Sequence, residues 1–189
     1  MKVKALLSML VAALAFSGVA VAHDINRIKG TAGNDNISGT DGPDWIAGFQ
    51  GDDTIAALGG NDRVWAGAGN DVVEGGAGRD RLTGGPGNDV LRGGADNDIL
   101  RGRTGDDVLE GGDGDDVIWV GSGADREFGG PGNDNMHALA NDHQPDFIDC
   151  GPGDHDVVWL NANEHDTQAN CEVVKTVTVT PAMAAEDDK

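Results

Sequence analysis

From Gly30 to His137 the chain repeats every nine residues without a gap, giving twelve units in 108 residues, and position six of every unit is aspartate. The units GGAGRDRLT at 75–83, GGPGNDVLR at 84–92 and GGDGDDVIW at 111–119 show the pattern plainly. The invariant acids are Asp35, Asp44, Asp53, Asp62, Asp71, Asp80, Asp89, Asp98, Asp107, Asp116, Asp125 and Asp134. Position four is glycine in eleven units, at Gly33, Gly42, Gly51, Gly60, Gly69, Gly78, Gly87, Gly105, Gly114, Gly123 and Gly132, with Asp96 the exception. Position eight is aliphatic or Met in eleven, with Glu127 the exception. A gapless period this short restricts the fold to one small unit stacked on itself, because no unit of nine residues can bury a core alone.

Each position has its own physical job. Glycine permits positive φ and close backbone approach, so positions one to six read as a turn whose carbonyls can point inward. Asp96 stands in for glycine because a short polar side chain tolerates the left-handed region better than most. Positions seven to nine read as a short strand in which only position eight faces inward, since side chains alternate with period two. One small aliphatic per unit makes stacking obligatory. Two units then form a coil of 18 residues with a turn on each edge, and successive coils build two parallel sheets at about 4.8 Å per layer. The expected fold class is all-β, a parallel β-roll or solenoid with two repeats per coil.

Stacking creates an electrostatic problem. Asp35, Asp53, Asp71, Asp89, Asp107 and Asp125 fall in one column along one edge, and the other six fall in a second. Carboxylates at about 5 Å intervals repel by about 1 kcal/mol per adjacent pair even in high dielectric. The chain has a formal charge of −20, aromatics at 4% and no Tyr, so neither counter-charges nor a large-residue core offsets this repulsion. That charge also argues against nucleic acid as a partner and for cations. Ca²⁺ suits the columns because it accepts six to eight oxygens in flexible geometry, from carboxylates and backbone carbonyls together. Mg²⁺ wants a near-ideal octahedron, and Zn²⁺ wants nitrogen or sulfur that the unit does not offer.

The pattern G-G-x-G-x-D-x-U-x over residues 30–137 resembles the haemolysin-type, or RTX, calcium-binding repeat. The resemblance implies a right-handed parallel β-roll with calcium held between turns two units apart, ligated by the twelve aspartates and by carbonyls of the turns that carry the eleven glycines. Six turns per edge leave about five inter-turn sites on each, or roughly ten ions.

Positions seven and nine face outward. Glu74, Arg92 and Glu110 fall in one column as an acid-base-acid ladder, and Arg101 lies one layer from Trp119 as a cation–π pair. Trp45, Trp65 and Trp119 belong to even-numbered units and share one outward sheet, which suggests a surface for a polysaccharide or a protein partner.

The ends read differently. Lys2 and Lys4, an apolar run from Ala5 to Phe16 and Ala20-Val21-Ala22 form the pattern of a cleavable export signal over 1–22, too short for a membrane span. Its removal takes two lysines and no acid, moving the charge from −20 to −22. Residues 23–29 lead into the repeats at 30–137. The register fails at Ala138, and 138–145 reads as a linker. Export places Cys150 and Cys171 in an oxidising compartment, where they are expected to pair. The segment DFIDCGPGDHDVVWL followed by NCEVV resembles the cysteine-bearing tail of secreted bacterial repeat proteins, so 146–180 is expected to cap the last coil and 181–189 to be a disordered acidic tail. Two departures weaken the case for metal binding there: an extra residue at Asp154-His155, and Asn170 where an acid usually precedes the second cysteine. His137, His143, His155 and His165 have spacings that fit no standard zinc motif.

No H-E-x-x-H, G-x-S-x-G or P-loop occurs, and the repeats begin eight residues after the expected cleavage site. The expectation is a secreted, non-catalytic calcium-binding protein that folds on binding Ca²⁺. The alternative is a calcium-dependent adhesin or polysaccharide-binding surface protein using Trp45, Trp65 and Trp119, and a hidden hydrolase ranks below both.

Overall fold

The computed structural model describes residues 25–140 and 142–179. The expected export signal and acidic tail therefore lie outside the described residues. Among the described residues every regular element is a strand, and every strand pairing is parallel. One sheet holds nine strands: β1 (Asn26–Lys29), β3 (Asp44–Gln50), β5 (Arg63–Ala68), β7 (Arg81–Pro86), β9 (Ile99–Thr104), β11 (Val117–Ser122), β13 (Asn135–Ala138), β15 (Val157–Asn161) and β17 (Val173–Val177). The other holds eight: β2 (Asn36–Thr40), β4 (Thr54–Gly59), β6 (Val72–Ala77), β8 (Val90–Ala95), β10 (Val108–Asp113), β12 (Arg126–Phe128), β14 (Phe147–Asp149) and β16 (Thr167–Ala169). The chain alternates between the sheets at each turn, so this is the all-β parallel solenoid that the nine-residue period demands. Among the described residues no helix is long and apolar enough to cross a membrane.

Register follows the period. Val73 pairs with Leu91 and Leu91 with Leu109 in one sheet, while Leu82 pairs with Leu100 and Leu100 with Ile118 in the other. These position-eight side chains fill the space between the sheets and are fully buried. Each contributes about 1.5–3 kcal/mol by leaving water.

The strands are longer than expected. β6 spans six residues, positions seven to nine of one unit and one to three of the next. Alternation carries on past position nine, so position one also faces inward: Val73 and Gly75 are both buried, with Glu74 exposed between them. Position eight is therefore not the sole inward position of the unit, contrary to the expectation from its sequence. Position one is glycine in most units, and Ala57, Ala66 and Val120 occupy it in three others and join the core.

The roll does not stop where the register breaks. Arg126 pairs with Phe147 and Asn135 with Val157, so the extra residues of the longer coils are absorbed in loops while the strands stay in step. Residues 146–179 extend both sheets through β14 to β17. The Cys150–Cys171 disulfide, with Cα atoms 5.2 Å apart, joins two of these last turns, and Cys150 is wholly buried. On the chain-entropy view a loop of this length stabilises by about 3 kcal/mol.

Candidate metal centre

The twelve position-six aspartates form two columns, as the stacking argument requires. All except Asp35 are essentially inaccessible to solvent. In each column the carboxylate of one unit reaches back to the unit before it in the same column. The backbone N–H of Asp71 donates to Asp89 Oδ1 at 2.8 Å, that of Asp89 to Asp107 Oδ1 at 2.8 Å, and that of Asp98 to Asp116 Oδ1 at 2.7 Å. One oxygen of each carboxylate is thereby satisfied. The other is not: Oδ2 of the ten aspartates from Asp53 to Asp134 is buried without a hydrogen-bond partner. Such an atom is costly to hold in a folded protein unless something positive meets it.

In seven of these ten units a glycine at position one lies against the orphaned Oδ2, while Ala57, Ala66 and Val120 stand there in the units of Asp62, Asp71 and Asp125. A methyl group at Gly75 would lie 2.5 Å from Asp80 Oδ2 and 2.6 Å from the carbonyl oxygen of Gly93. A carboxylate and a main-chain carbonyl thus converge on a point that a side chain would block. Hard oxygens of these two kinds are the donors Ca²⁺ prefers, so the columns fit that ion.

Turn geometry sorts the units into two groups. From the third unit onward, position two and position four both adopt positive φ, for example Gly76 at 106° and Gly78 at 111°. Asp96 follows at 75° in the glycine slot, as its size allows, and Phe49, Leu58 and Arg103 hold the same conformation at position two. The first coil differs. Gly33 and Gly42 are outside this group, and Thr31 and Thr40 occupy position two. The backbone N–H and the hydroxyl of Thr31 donate to Asp35 Oδ2 at 2.6 and 3.0 Å, and Thr40 does the same to Asp44 Oδ2 at 2.6 and 3.1 Å. Asp35 and Asp44 therefore carry no orphaned oxygen.

Burial dominates the titration of the columns, and like charges in neighbouring turns add to it. Together they push Asp98 and Asp107 up to about 8, Asp89, Asp125 and Asp134 to about 7, and Asp62, Asp80 and Asp116 to about 6. The backbone N–H donated to each carboxylate pulls the other way and is outweighed. Without a counter-ion, these groups resist ionisation in the compact state.

Residues 29–64, 57–91, 65–100, 92–127 and 101–136 each match the family described as RTX calcium-binding nonapeptide repeat, four copies. The chain belongs to this family. No curated protein matches the chain. The RTX-matched residues run from the end of β1 into β13 and form most of the solenoid, while β14 to β17 lie beyond them.

Two features of this array escaped the sequence reading. Position five carries a second ladder that runs in the opposite sense: the N–H of Asn70 donates to Asp52 Oδ1 at 2.8 Å, and the N–H of Asn88 to Asn70 Oδ1 at 2.9 Å. Each turn is thus stitched both forward and back. Position five is Asn or Asp in nine of the twelve units, and this bias was the available signal. The aspartate columns also continue beyond the repeats. The N–H of Asp125 donates to Asp146 Oδ1 at 2.9 Å and that of Asp146 to Asp166 Oδ1 at 3.0 Å. In the other column Asp134 donates to Asp156 Oδ1 at 2.8 Å, and Asp156 to Glu172 Oε2 at 2.9 Å.

The outward faces hold the expected pairs. Arg92 contacts Glu110 at 3.0 Å and Glu74 at 3.8 Å, both exposed and worth about 0–1 kcal/mol each. The Arg101 guanidinium lies 4.8 Å from the Trp119 ring centre. That pair belongs to a longer stack: Trp119 on His137 at 5.1 Å, His137 on Trp159 at 6.0 Å, and Lys175 Nζ 4.2 Å from the Trp159 ring centre. Burial, helped by Lys175, lowers His137 to about 4 and keeps it neutral in the stack. The three tryptophans of the proposed aromatic face are not brought together. Trp45 pairs in register with Arg63, whereas Trp65 pairs with Ala47 and Thr83, and Thr83 and Arg101 separate Trp65 from Trp119 in its own column.

Proposed function

We propose that this RTX protein is exported and binds several Ca²⁺ ions along its two edges, folding into the solenoid as it does so. The observation that carries the reading is the unpartnered, buried Oδ2 on each of the ten aspartates from Asp53 to Asp134. Bound Ca²⁺ supplies positive charge and an oxygen-accepting coordination sphere. The aspartates present Oδ2 to it, their Oδ1 atoms hold the turn spacing through backbone N–H donors, and in seven of the ten units a position-one glycine leaves room. Asp35 and Asp44 play a different part: tied by Thr31 and Thr40, they close the first coil without an ion. Inter-turn sites between the remaining units number about four per edge, or about eight in the array, fewer than the roughly ten read from the repeat count alone.

Export is supported by the N-terminal pattern at 1–22 and by the Cys150–Cys171 disulfide, which belongs to an oxidising compartment. The role is non-catalytic and structural, a rod that calcium stiffens outside the cell. The test is a Ca²⁺ titration of the full chain followed by circular dichroism. A cooperative gain of β signal at about 10⁻⁴ to 10⁻³ M Ca²⁺ is the expected result. A full β signal in excess chelator at neutral pH would refute calcium-driven folding.

A further inference from the structure

Glu127 breaks the repeat at position eight, where every other unit has an aliphatic residue or Met. Its neighbours in the sheet are Leu109 on one side and Ile148 on the other, so the side chain sits in the interior column. It is wholly buried, and neither carboxylate oxygen has a hydrogen-bond partner. The charges that act on it most are all negative, Asp146 first, then Asp125 and Asp166. An acid in a leucine position, surrounded by acids, lacks any explanation in the packing of the roll.

Next to it lies a grouping outside the RTX-matched residues. Asp146, Glu164 and Asp166 each present a carboxylate oxygen, and these three atoms lie within 4.8 Å of one another. Two oxygens on one Ca²⁺, each at 2.3–2.6 Å, are separated by at most about 5 Å, so the spacing fits a shared ion. Asp146 is 2% exposed and its Oδ2 has no partner, and the same is true of one oxygen each on Glu164 and Asp166. The opposite oxygens are occupied in holding the fold. Glu164 Oε1 accepts the N–H groups of Asp142 and His143 at 2.9 and 3.0 Å, and Asp166 Oδ1 accepts that of Asp146. Each carboxylate thus turns one face to the backbone and one to the cluster. This is the division seen along the aspartate columns, but here one of the three carboxylates is a Glu, whereas position six of every repeat is Asp.

We propose that Asp146, Glu164 and Asp166 form a further calcium site in the C-terminal coils. All donors are hard oxygens, which favours Ca²⁺ over zinc. The site pins the loop at 142–143 to the segment before β16 and so locks the coils that follow the last repeat. It rests on different residues from the array, and the two can fail separately.

The test is anomalous diffraction at long wavelength from crystals of the full chain grown with Ca²⁺. A calcium peak bounded by Asp146, Glu164 and Asp166 is expected. Peaks along the repeat columns with none at this cluster would overturn the site and leave the array reading intact, whereas a peak here with empty columns would do the reverse. In solution, Glu164→Gln and Asp166→Asn keep an oxygen for the backbone donors and remove the charge. Equilibrium dialysis should find one Ca²⁺ fewer per chain in the double variant, with its β signal retained in Ca²⁺. An unchanged ion count would refute the proposal.

Discussion

The backbone N–H of Asp89 donates to Oδ1 of Asp107 at 2.8 Å, while Oδ2 of Asp107 is buried without a partner. One carboxylate therefore holds the spacing of the coils and keeps its second oxygen for a cation. Replacing Asp107 by Asn preserves the acceptor and removes the charge. In Ca²⁺ this should cost about 3–5 kcal/mol, the range for removing one member of a buried compensated pair. Asp35→Asn should cost about 1 kcal/mol, because Thr31 already satisfies that oxygen. Denaturant unfolding of both variants at saturating Ca²⁺ checks the contrast. Equal losses would refute the division between the first coil and the rest.

Acid should partly replace calcium. An unfolded Asp titrates near 3.9, whereas burial raises Asp98 and Asp107 to about 8 and Asp62 and Asp80 to about 6 in the compact state. Raised values mean that the ion-free roll is favoured while these groups are protonated. That stability is fully present below about pH 4 and is lost as pH climbs through 6 to 8. In excess chelator, β signal should therefore rise as pH falls from 8 to 4, and in saturating Ca²⁺ it should be nearly flat over the same range. A chelated chain whose signal falls on acidification would contradict the assignment.

The nine-residue period made most of this fold legible, because a gapless period leaves one way to stack and thereby places Asp35 to Asp134 in two columns. Strand length was less legible. Gly75 reads as a turn residue by type, yet it lies in β6, since the room its missing side chain leaves is taken by Asp80 Oδ2. The C-terminal coils were hardest to foresee. Asp125 and Asp146 are 21 residues apart and Asp134 and Asp156 are 22 apart, so a fixed-period reading sees a linker over 138–145 and a cap after it, where the columns in fact continue. Asn170, read as a missing acid, sits at φ 55° and donates to Asp149 Oδ1 at 2.7 Å, a turn role that a left-handed residue with an amide fills well.

Position one and position two should respond to substitution in opposite ways. Gly75→Ala drives a methyl group against Asp80 Oδ2 and the Gly93 carbonyl, and should destabilise the calcium-loaded roll by about 1–3 kcal/mol and weaken its Ca²⁺ affinity. Leu58 sits at φ 79° and is 46% exposed, so it bears backbone strain with little burial in return. Leu58→Gly should stabilise by about 1 kcal/mol. Thermal unfolding in Ca²⁺ measures both, and a stabilising Gly75→Ala would show that the cradle is not filled.

Loss of the disulfide should be felt locally before it is felt globally. Cys150 and Cys171 are 21 residues apart in sequence and tie together the turns that follow β14 and β16. Opening that loop costs about 3 kcal/mol on the chain-entropy model. The RTX strands from β4 to β10 make their own register contacts with neighbours on both sides, so they do not depend on this link. Hydrogen exchange on the Cys150→Ser, Cys171→Ser double variant in Ca²⁺ should therefore show faster exchange in β14 to β17 and unchanged protection in β6 to β9. Uniform loss of protection across the roll would mean instead that the disulfide-closed end holds the whole array in register.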